Sequence, residues 1–184
     1  MKKLLLLLLL WLVSPLFLKA QMVSGSFSYP VDSMNRITYQ EIVNIKSSKT
    51  ELYKKAKKWF IRDFNSGKDV IQLDDALAGE IIGKGFYIEE TLHQSEGELR
   101  NYKNNIWYTV AIKVKDGKYR IIINDLQIEY HNVNDKEPLE NILIKMTPMG
   151  SNDGEGLVFW LGPNSKIKKQ IANLKEFMLA KDDF

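Results

Sequence analysis

Residues able to do chemistry are sparse in this chain. His93 and His131 are the only histidines and there is no cysteine. A metal centre built from imidazole or thiolate ligands is therefore closed off, since such sites need several nitrogen or sulfur donors converging on one ion. Oxygen-rich groupings remain. His93 with Glu89, Glu90 and Glu96 forms one candidate cation cluster, and Asp74, Asp75 and Glu80 form a candidate carboxylate pair or trio. Acid-base work by either also needs a pocket that perturbs their titration. Asn152, Asp153 and Glu155 offer calcium-type oxygens, but not at the spacing of an EF-hand loop. Each grouping has a plain counter-reading as solvated charge. Ser165-x-x-Lys168 matches the nucleophile motif of penicillin-binding enzymes, yet the companion Lys-Thr-Gly is missing and Ser165 reads better as a helix cap. Gly83-Lys84-Gly85 falls inside a strand rather than at a strand-to-helix turn, so it is not a phosphate loop. No cofactor motif is present, and no metal site is assigned.

Recognition chemistry is better represented, and it sits on one stretch. Ile106 to Tyr130 reads as two apolar-alternating runs joined by Asp116-Gly117, the strongest short-range signal for a hairpin, whose turn calls for positive φ at both residues. The two-residue turn sets Val114 opposite Tyr119, Ile112 opposite Ile121 and Val110 opposite Ile123 on a core face. The other face pairs Lys113 with Arg120 and Lys115 with Lys118, alongside Ala111, Thr109 and Trp107. Like charges directly opposite each other are unfavourable and stay out of a core, so that face meets water or a partner. After Ile123 the apolar phase shifts to Leu126, Ile128 and Tyr130, which calls for a bulge near Asn124-Asp125.

The elements that position this hairpin follow from the periodicity. Ile37, Tyr39, Val43 and Ile45 share one phase of a strand over Arg36 to Lys46, with Glu41 and Ile42 as exceptions. Ser48 and Glu51 spell a capping box, opening a helix from Lys49 to Asn65 that buries Leu52, Tyr53, Ala56, Trp59, Phe60 and Phe64; Ser66-Gly67-Lys68 ends it. Its lysines, Lys54, Lys55, Lys57 and Lys58, read as a solvated face. Asp69 to Leu73 is a short strand and Asp74-Asp75 a turn. Glu80 to Leu92 is a long strand with Ile82, Phe86, Ile88 and Leu92 on one phase; Gly79, Gly83 and Gly85 on the other leave an outward face bare, a sign of curvature or close approach. His93 to Asn105 reads as a loop. Leu143 to Met146 and Leu157 to Leu161 read as short strands or helical turns around a Gly-rich run. Pro163-Asn164-Ser165 opens a last helix to about Ala180, with Ile167, Ile171, Leu174, Phe177 and Met178 on one side.

The first 20 residues have the parts of a secretory signal peptide: Lys2 and Lys3, an apolar run, and Ala20 at the expected cut. Removing Lys2, Lys3 and Lys19 with the leader lowers 26 basic residues to 23, level with the 23 acidic ones. Bulk electrostatic attraction to nucleic acid then has no support, and the absence of cysteine leaves an exported chain without disulfides. The division expected is a leader over 1–20, a tail and edge segment over 21–35, and a single domain over 36–184. After cleavage no stable membrane anchor is expected to remain, an uncleaved N-terminal anchor being the alternative, and the expected location is periplasmic or secreted.

Landmarks spread along the chain carry a family likeness: Pro30 with Ile37-Thr-Tyr39, Leu52-Tyr53, Lys58-Trp59, Gly79-Glu-Ile-Ile-Gly83-Lys-Gly85, Tyr108, and Asp116-Gly117-Lys118-Tyr119-Arg120. With the leader, they resemble a secreted Bacteroidetes family known as a domain of unknown function with a TBP-like fold. The resemblance covers residues 27 to 130, with Asn35 standing where the family would have glycine. It implies an α+β single domain, a curved antiparallel sheet in the order β-α-β-β-β-β-α with helices on one face, and it implies no activity. The expectation for function is a non-enzymatic, exported binding or accessory module using the open sheet face, with Trp107, Lys113, Lys115, Lys118 and Arg120 contacting a peptide, protein or glycan partner in the cell envelope. The rivals are a periplasmic hydrolase using Asp74, Asp75, Glu80, Glu89 or Glu90, and a carrier of a small apolar ligand beside Trp59 and Phe60. Nucleic acid is not expected as a partner.

Overall fold

The computed structural model describes residues 29–64, 70–95, 98–130, 135–146 and 154–180. In chain order the elements are β1 (Tyr39–Asn44), α1 (Lys49–Asp63), β2 (Ile71–Asp75), β3 (Glu80–Ser95), β4 (Glu98–Lys115), β5 (Lys118–Tyr130), β6 (Lys136–Pro138), α2 (Leu139–Met146) and α3 (Gly154–Leu179). All strand pairs are antiparallel, in the order β1-β5-β4-β3-β2, and β6 continues the β1 edge of β5. The α+β sheet inferred above is present, lengthened by β6 and α2.

The β4–β5 hairpin has the anticipated register: Val114 faces Tyr119, Ile112 faces Ile121 and Val110 faces Ile123. All six side chains are 1% exposed or less, so this pairing is the floor of the core. The turn differs in detail. Only Gly117 takes a positive φ, of 77°; Asp116 instead turns its carboxylate to the backbone N–H of Lys49, at 2.8 Å. The hairpin tip is thereby tied to the start of α1. The register shifts between Trp107 and Thr109, with Asp125 as the extra residue at φ 53°, and Leu126 and Ile128 return to the core. Tyr130 does not, being 39% exposed, because it lies where the strand runs past the packed helices. Asn35 has φ 58°, a conformation asparagine adopts more readily than most side chains.

α1 starts on the capping box, with Ser48 Oγ accepting from the Glu51 N–H at 3.3 Å and Glu51 Oε2 accepting from the Ser48 N–H at 3.0 Å. It ends at Asp63 with Phe64 as its cap; Ser66-Gly67-Lys68 lie outside the described residues. Trp59 and Phe60 are fully buried, their centroids 5.1 Å apart edge-to-face, and Phe60 stacks on Phe64 at 5.6 Å. α3 lies beside α1 on the same sheet face: Trp59 Nε1 donates to Asn173 Oδ1 at 2.9 Å, Lys175 pairs with Glu41 of β1 at 2.7 Å, and Ile167, Ile171, Leu174 and Met178 are buried. α2 adds Leu139 and Ile142 to the core, and its Glu140 accepts the Ile37 N–H at 2.6 Å.

The phase of β3 is the reverse of the expectation. Ile81, Gly83 and Gly85 face the helices, while Ile82, Phe86 and Ile88 face outward, the last two 48% and 52% exposed. Helix rings settle the matter. A Cβ on Gly83 would meet Phe60 Cε1 at 2.5 Å, and one on Gly85 would run into the Phe64 ring. The bare strip is the bed of α1, not the outer surface, so close approach was the right meaning on the wrong side.

Other boundaries move too. Asp74 and Asp75 end β2 rather than forming the turn, which runs over residues 76–79 with Asp75 Oδ1 accepting the Ala78 N–H at 2.8 Å. The stretch from His93 to Asn105 is not a loop: β3 and β4 stay paired from Glu80–Lys113 to Ser95–Glu98. A two-stranded ribbon beyond the core needs no apolar phase, which is why its polar residues concealed it. α3 runs continuously from Gly154 through Pro163. Ser165 is therefore no N-cap; its Oγ donates to the Gly162 carbonyl at 2.9 Å. Leu143 to Met146 are helical, in α2, and Leu157 to Leu161 lie in α3.

Substituting Gly83→Ala is expected to cost about 1–3 kcal/mol by overpacking, outweighing the ~0.4–1 kcal/mol an alanine contributes through the unfolded chain. Adding Phe60→Leu should recover part of the loss, a coupling readable by urea unfolding of the single and double variants. A neutral Gly83→Ala would show that the Phe60 ring does not rest on β3.

Candidate functional site

The sheet's outer face carries every residue singled out for recognition. At the hairpin tip the register places Lys113 opposite Arg120 and Lys115 opposite Lys118, with Ile42 of β1 next to Arg120 and Asn44 next to Lys118. Ile42, Lys113, Lys115, Lys118 and Arg120 line a shallow depression of about 230 Å³. Lys113 reaches Glu80 at 3.3 Å. Among the described residues no hydrogen bond or ion pair engages the side chains of Lys115, Lys118 or Arg120. Ile42, 61% exposed, is the apolar residue that broke the β1 alternation, and its place beside these cations explains the exception.

Trp107 is not in that group. Six residues along β4 from Lys113, it is about 20 Å away. Its indole N–H donates to Glu129 Oε2 at 2.7 Å, its ring packs on Phe86 at 4.7 Å, and the Lys136 ammonium stands 3.5 Å from its centroid. Asn105 Nδ2 donates to the same Glu129 oxygen at 3.0 Å. The donated hydrogen bonds of Asn105 and Trp107, followed by the charge of Lys136, hold the Glu129 carboxyl below the ordinary glutamate value. The open face thus divides into a cationic tip and an aromatic patch of Phe86, Ile88 and Trp107. Between them Lys84 pairs with Asp125 at 2.8 Å. Phe86, Ile88, Ile42, Lys136 and Glu129 were not among the residues assigned to recognition from the sequence. The isoleucine on a polar phase was the only advance sign, since Phe86 meets Trp107 through a β3–β4 register hidden by the polar ribbon.

Comparison with known proteins places this architecture. The family model described as a domain of unknown function (DUF4468) with TBP-like fold matches residues 39–129. Residues 39–129 belong to that family. A crystal structure of a DUF4468 family protein from Bacteroides ovatus is similar at TM-score 0.62 and 17% identity, over 85% of this chain and 93% of that one. A TBP-like protein from Parabacteroides distasonis is similar at TM-score 0.61 and 17% identity, over 83% of this chain and 98% of its own. At that identity the two share the fold. Among curated proteins nothing matches.

The carboxylates named as rival catalytic groups are dispersed over the DUF4468 domain. Asp74 accepts from the Lys57 ammonium at 2.6 Å and from the Tyr53 hydroxyl; these two, the lysine first, draw its carboxyl below the usual range. Asp75 holds the following turn and Glu80 pairs with Lys113. Glu89 lies about 30 Å along β3 from Glu80 and faces the helices, whereas Glu90 faces outward and pairs with Lys103 at 3.0 Å. Glu89 is 7% exposed, with the Lys166 ammonium 2.8 Å from Oε2 in an ionic contact that lacks hydrogen-bond angles. Lys166 also donates to the Ile88 carbonyl at 3.0 Å and stands over the Tyr87 ring. Burial first, then Glu89, pushes the Tyr87 phenol above its ordinary value. A cavity of about 210 Å³ between α3 and the sheet is lined by Tyr87, Tyr108, Lys166 and Gln170, and Glu89 is not part of its wall. Trp59 and Phe60 fill the core rather than lining a cavity. No group of three metal-ligating side chains occurs among the described residues; the side chains of His93, Glu96, His131, Asn152, Asp153 and Glu155 lie outside them. Among the described residues no helix is long and apolar enough to cross a membrane.

Because the Glu129 pKa is depressed in the folded state, the stabilisation it supplies is complete above the ordinary glutamate value of 4.5 and disappears as pH falls through its folded value. In a pH titration followed by NMR, the Trp107 indole N–H resonance should move with a midpoint below 4.5, and Glu129→Gln should abolish the movement. A midpoint at or above 4.5 would contradict the bond to Glu129.

Proposed function

We propose that this DUF4468 domain is an exported binding or accessory module that works through the open face of its sheet and catalyses no reaction. One observation carries the reading. The helices pack on a single side, and the opposite side keeps Ile42, Phe86 and Ile88 about half exposed or more, with Ile42 beside cations that no acid among the described residues neutralises. Solvent-facing apolar side chains grouped with an aromatic and charged rim are what recognition surfaces require. Export is supported by the leader, and a peptide, protein or glycan of the cell envelope is the partner class that such a compartment offers.

The reading is tested by affinity capture from a cell-envelope extract with the mature protein and with a Trp107→Ala/Arg120→Ala variant of matched thermal stability. Partners seen with the native protein should be lost from the double variant. An identical set from both would sink it.

A further inference from the structure

The cations of the hairpin tip form a regular grid. Side chains directly opposite on antiparallel strands stand roughly 5 Å apart, and those two residues along a strand about 6.8 Å apart. Lys113, Arg120, Lys115 and Lys118 are therefore the corners of a rectangle of about 5 by 7 Å. Opposed like charges cost stability, and among the described residues only the Lys113 corner has an acid paired with it. One row further along the same seam, Ala111 stands opposite Ile122 and next to Ile82. From the turn inward the surface reads cation pair, cation pair, apolar row.

An extended polypeptide repeats at the same 6.8 Å or so between residues i and i+2. Resting on the open-face reading above, we infer that the hairpin tip binds an acidic polypeptide segment in extended form, of the pattern acidic-x-acidic-x-apolar. Its two carboxylates lie over the Lys115/Lys118 and Lys113/Arg120 rows, and its apolar side chain lies over Ala111 and Ile122. Charge distribution over the rest of the face selects this occupant over a membrane or a polymeric anion. Those would engage cations all across the surface, but Lys84 is held by Asp125 at 2.8 Å, Lys103 by Glu90 at 3.0 Å, and Lys136 by the Trp107 ring at 3.5 Å. Among the described residues of this face, the unpartnered cations are confined to one recess the size of a few side chains.

Fluorescence anisotropy at low salt with labelled peptides tests the register directly. A peptide carrying Glu-Thr-Glu-Thr-Leu should bind roughly fivefold more tightly than its permutation Glu-Glu-Thr-Thr-Leu, the difference expected of moving one exposed but well-placed carboxylate out of register with the Lys113/Arg120 row. A Lys118→Glu/Arg120→Glu protein, whose new carboxylates face Lys115 and Lys113 across the strands, should lose the acidic peptide while unfolding at the native protein's thermal midpoint, which shows that it is folded. Equal binding of the two acidic peptides, or unchanged binding by the variant, would overturn the inference. So would binding to phosphatidylglycerol vesicles without binding to either peptide. If the inference fails while envelope partners still depend on Trp107 and Arg120, the open-face reading stands; if captured partners ignore those two residues, that reading has failed as well.

Discussion

Two phenylalanine rings resting on a strand without side chains set the geometry of this domain. Gly83 and Gly85 leave the backbone of β3 bare where Phe60 of α1 and its cap residue Phe64 come down on it, and the edge-to-face contact of Phe60 with Trp59 carries the packing toward α3. Close packing of this kind leaves little room for adjustment, because interiors are as dense as organic crystals. With α1 seated there, the odd-numbered residues of β3 face inward and the rest are forced outward. The surface on the far side, with Ile82, Phe86 and Ile88, follows from the way the helix side is packed.

That outer surface is organised by charge as much as by shape. Acidic residues are distributed so that most cations have a partner: Glu80 with Lys113, Asp125 with Lys84, Glu90 with Lys103. Exposed pairs of this sort add little to stability individually. Their effect is to neutralise the middle and far parts of the face, leaving the positive potential concentrated at the hairpin tip. The aromatic patch is likewise restrained internally, Trp107 being held through Glu129 and Lys136. A surface with one neutralised aromatic end and one uncompensated cationic end can discriminate between ligands in a way that a uniformly basic face cannot.

Local patterns were legible wherever a signal and its partner lie close in sequence. The Asp116-Gly117 register, the bulge before Leu126, the capping box of Ser48 and Glu51, and the buried positions of α1 all follow from neighbours within a few residues, and the structure retains each one. The cationic row of Lys113, Lys115, Lys118 and Arg120 came from the same hairpin arithmetic. The DUF4468 family was likewise recognisable from landmarks spaced along residues 27 to 130, most of them glycines, aromatics and turn residues with local roles.

Long-range relations were not legible in that way. A strand with apolar residues on one phase and glycines on the other is ambiguous until it is known what lies on it, and the aromatic rings that choose the inner side of β3 belong to a helix some 20 residues earlier. Trp107 and the cations share a face, but strand rise separates them and cross-strand neighbours claim the indole, a fact contained in the β3–β4 and β4–β5 registers together. The polar ribbon and the continuation of α3 through Pro163 rest on pairing and packing that override local preference. Turn chemistry, capping and periodicity thus specify the hairpin and the main helix, because those depend on short-range backbone chemistry, whereas the family was reached by resemblance. Which side of β3 is core, and which cations remain uncompensated, depends on where distant side chains come to rest.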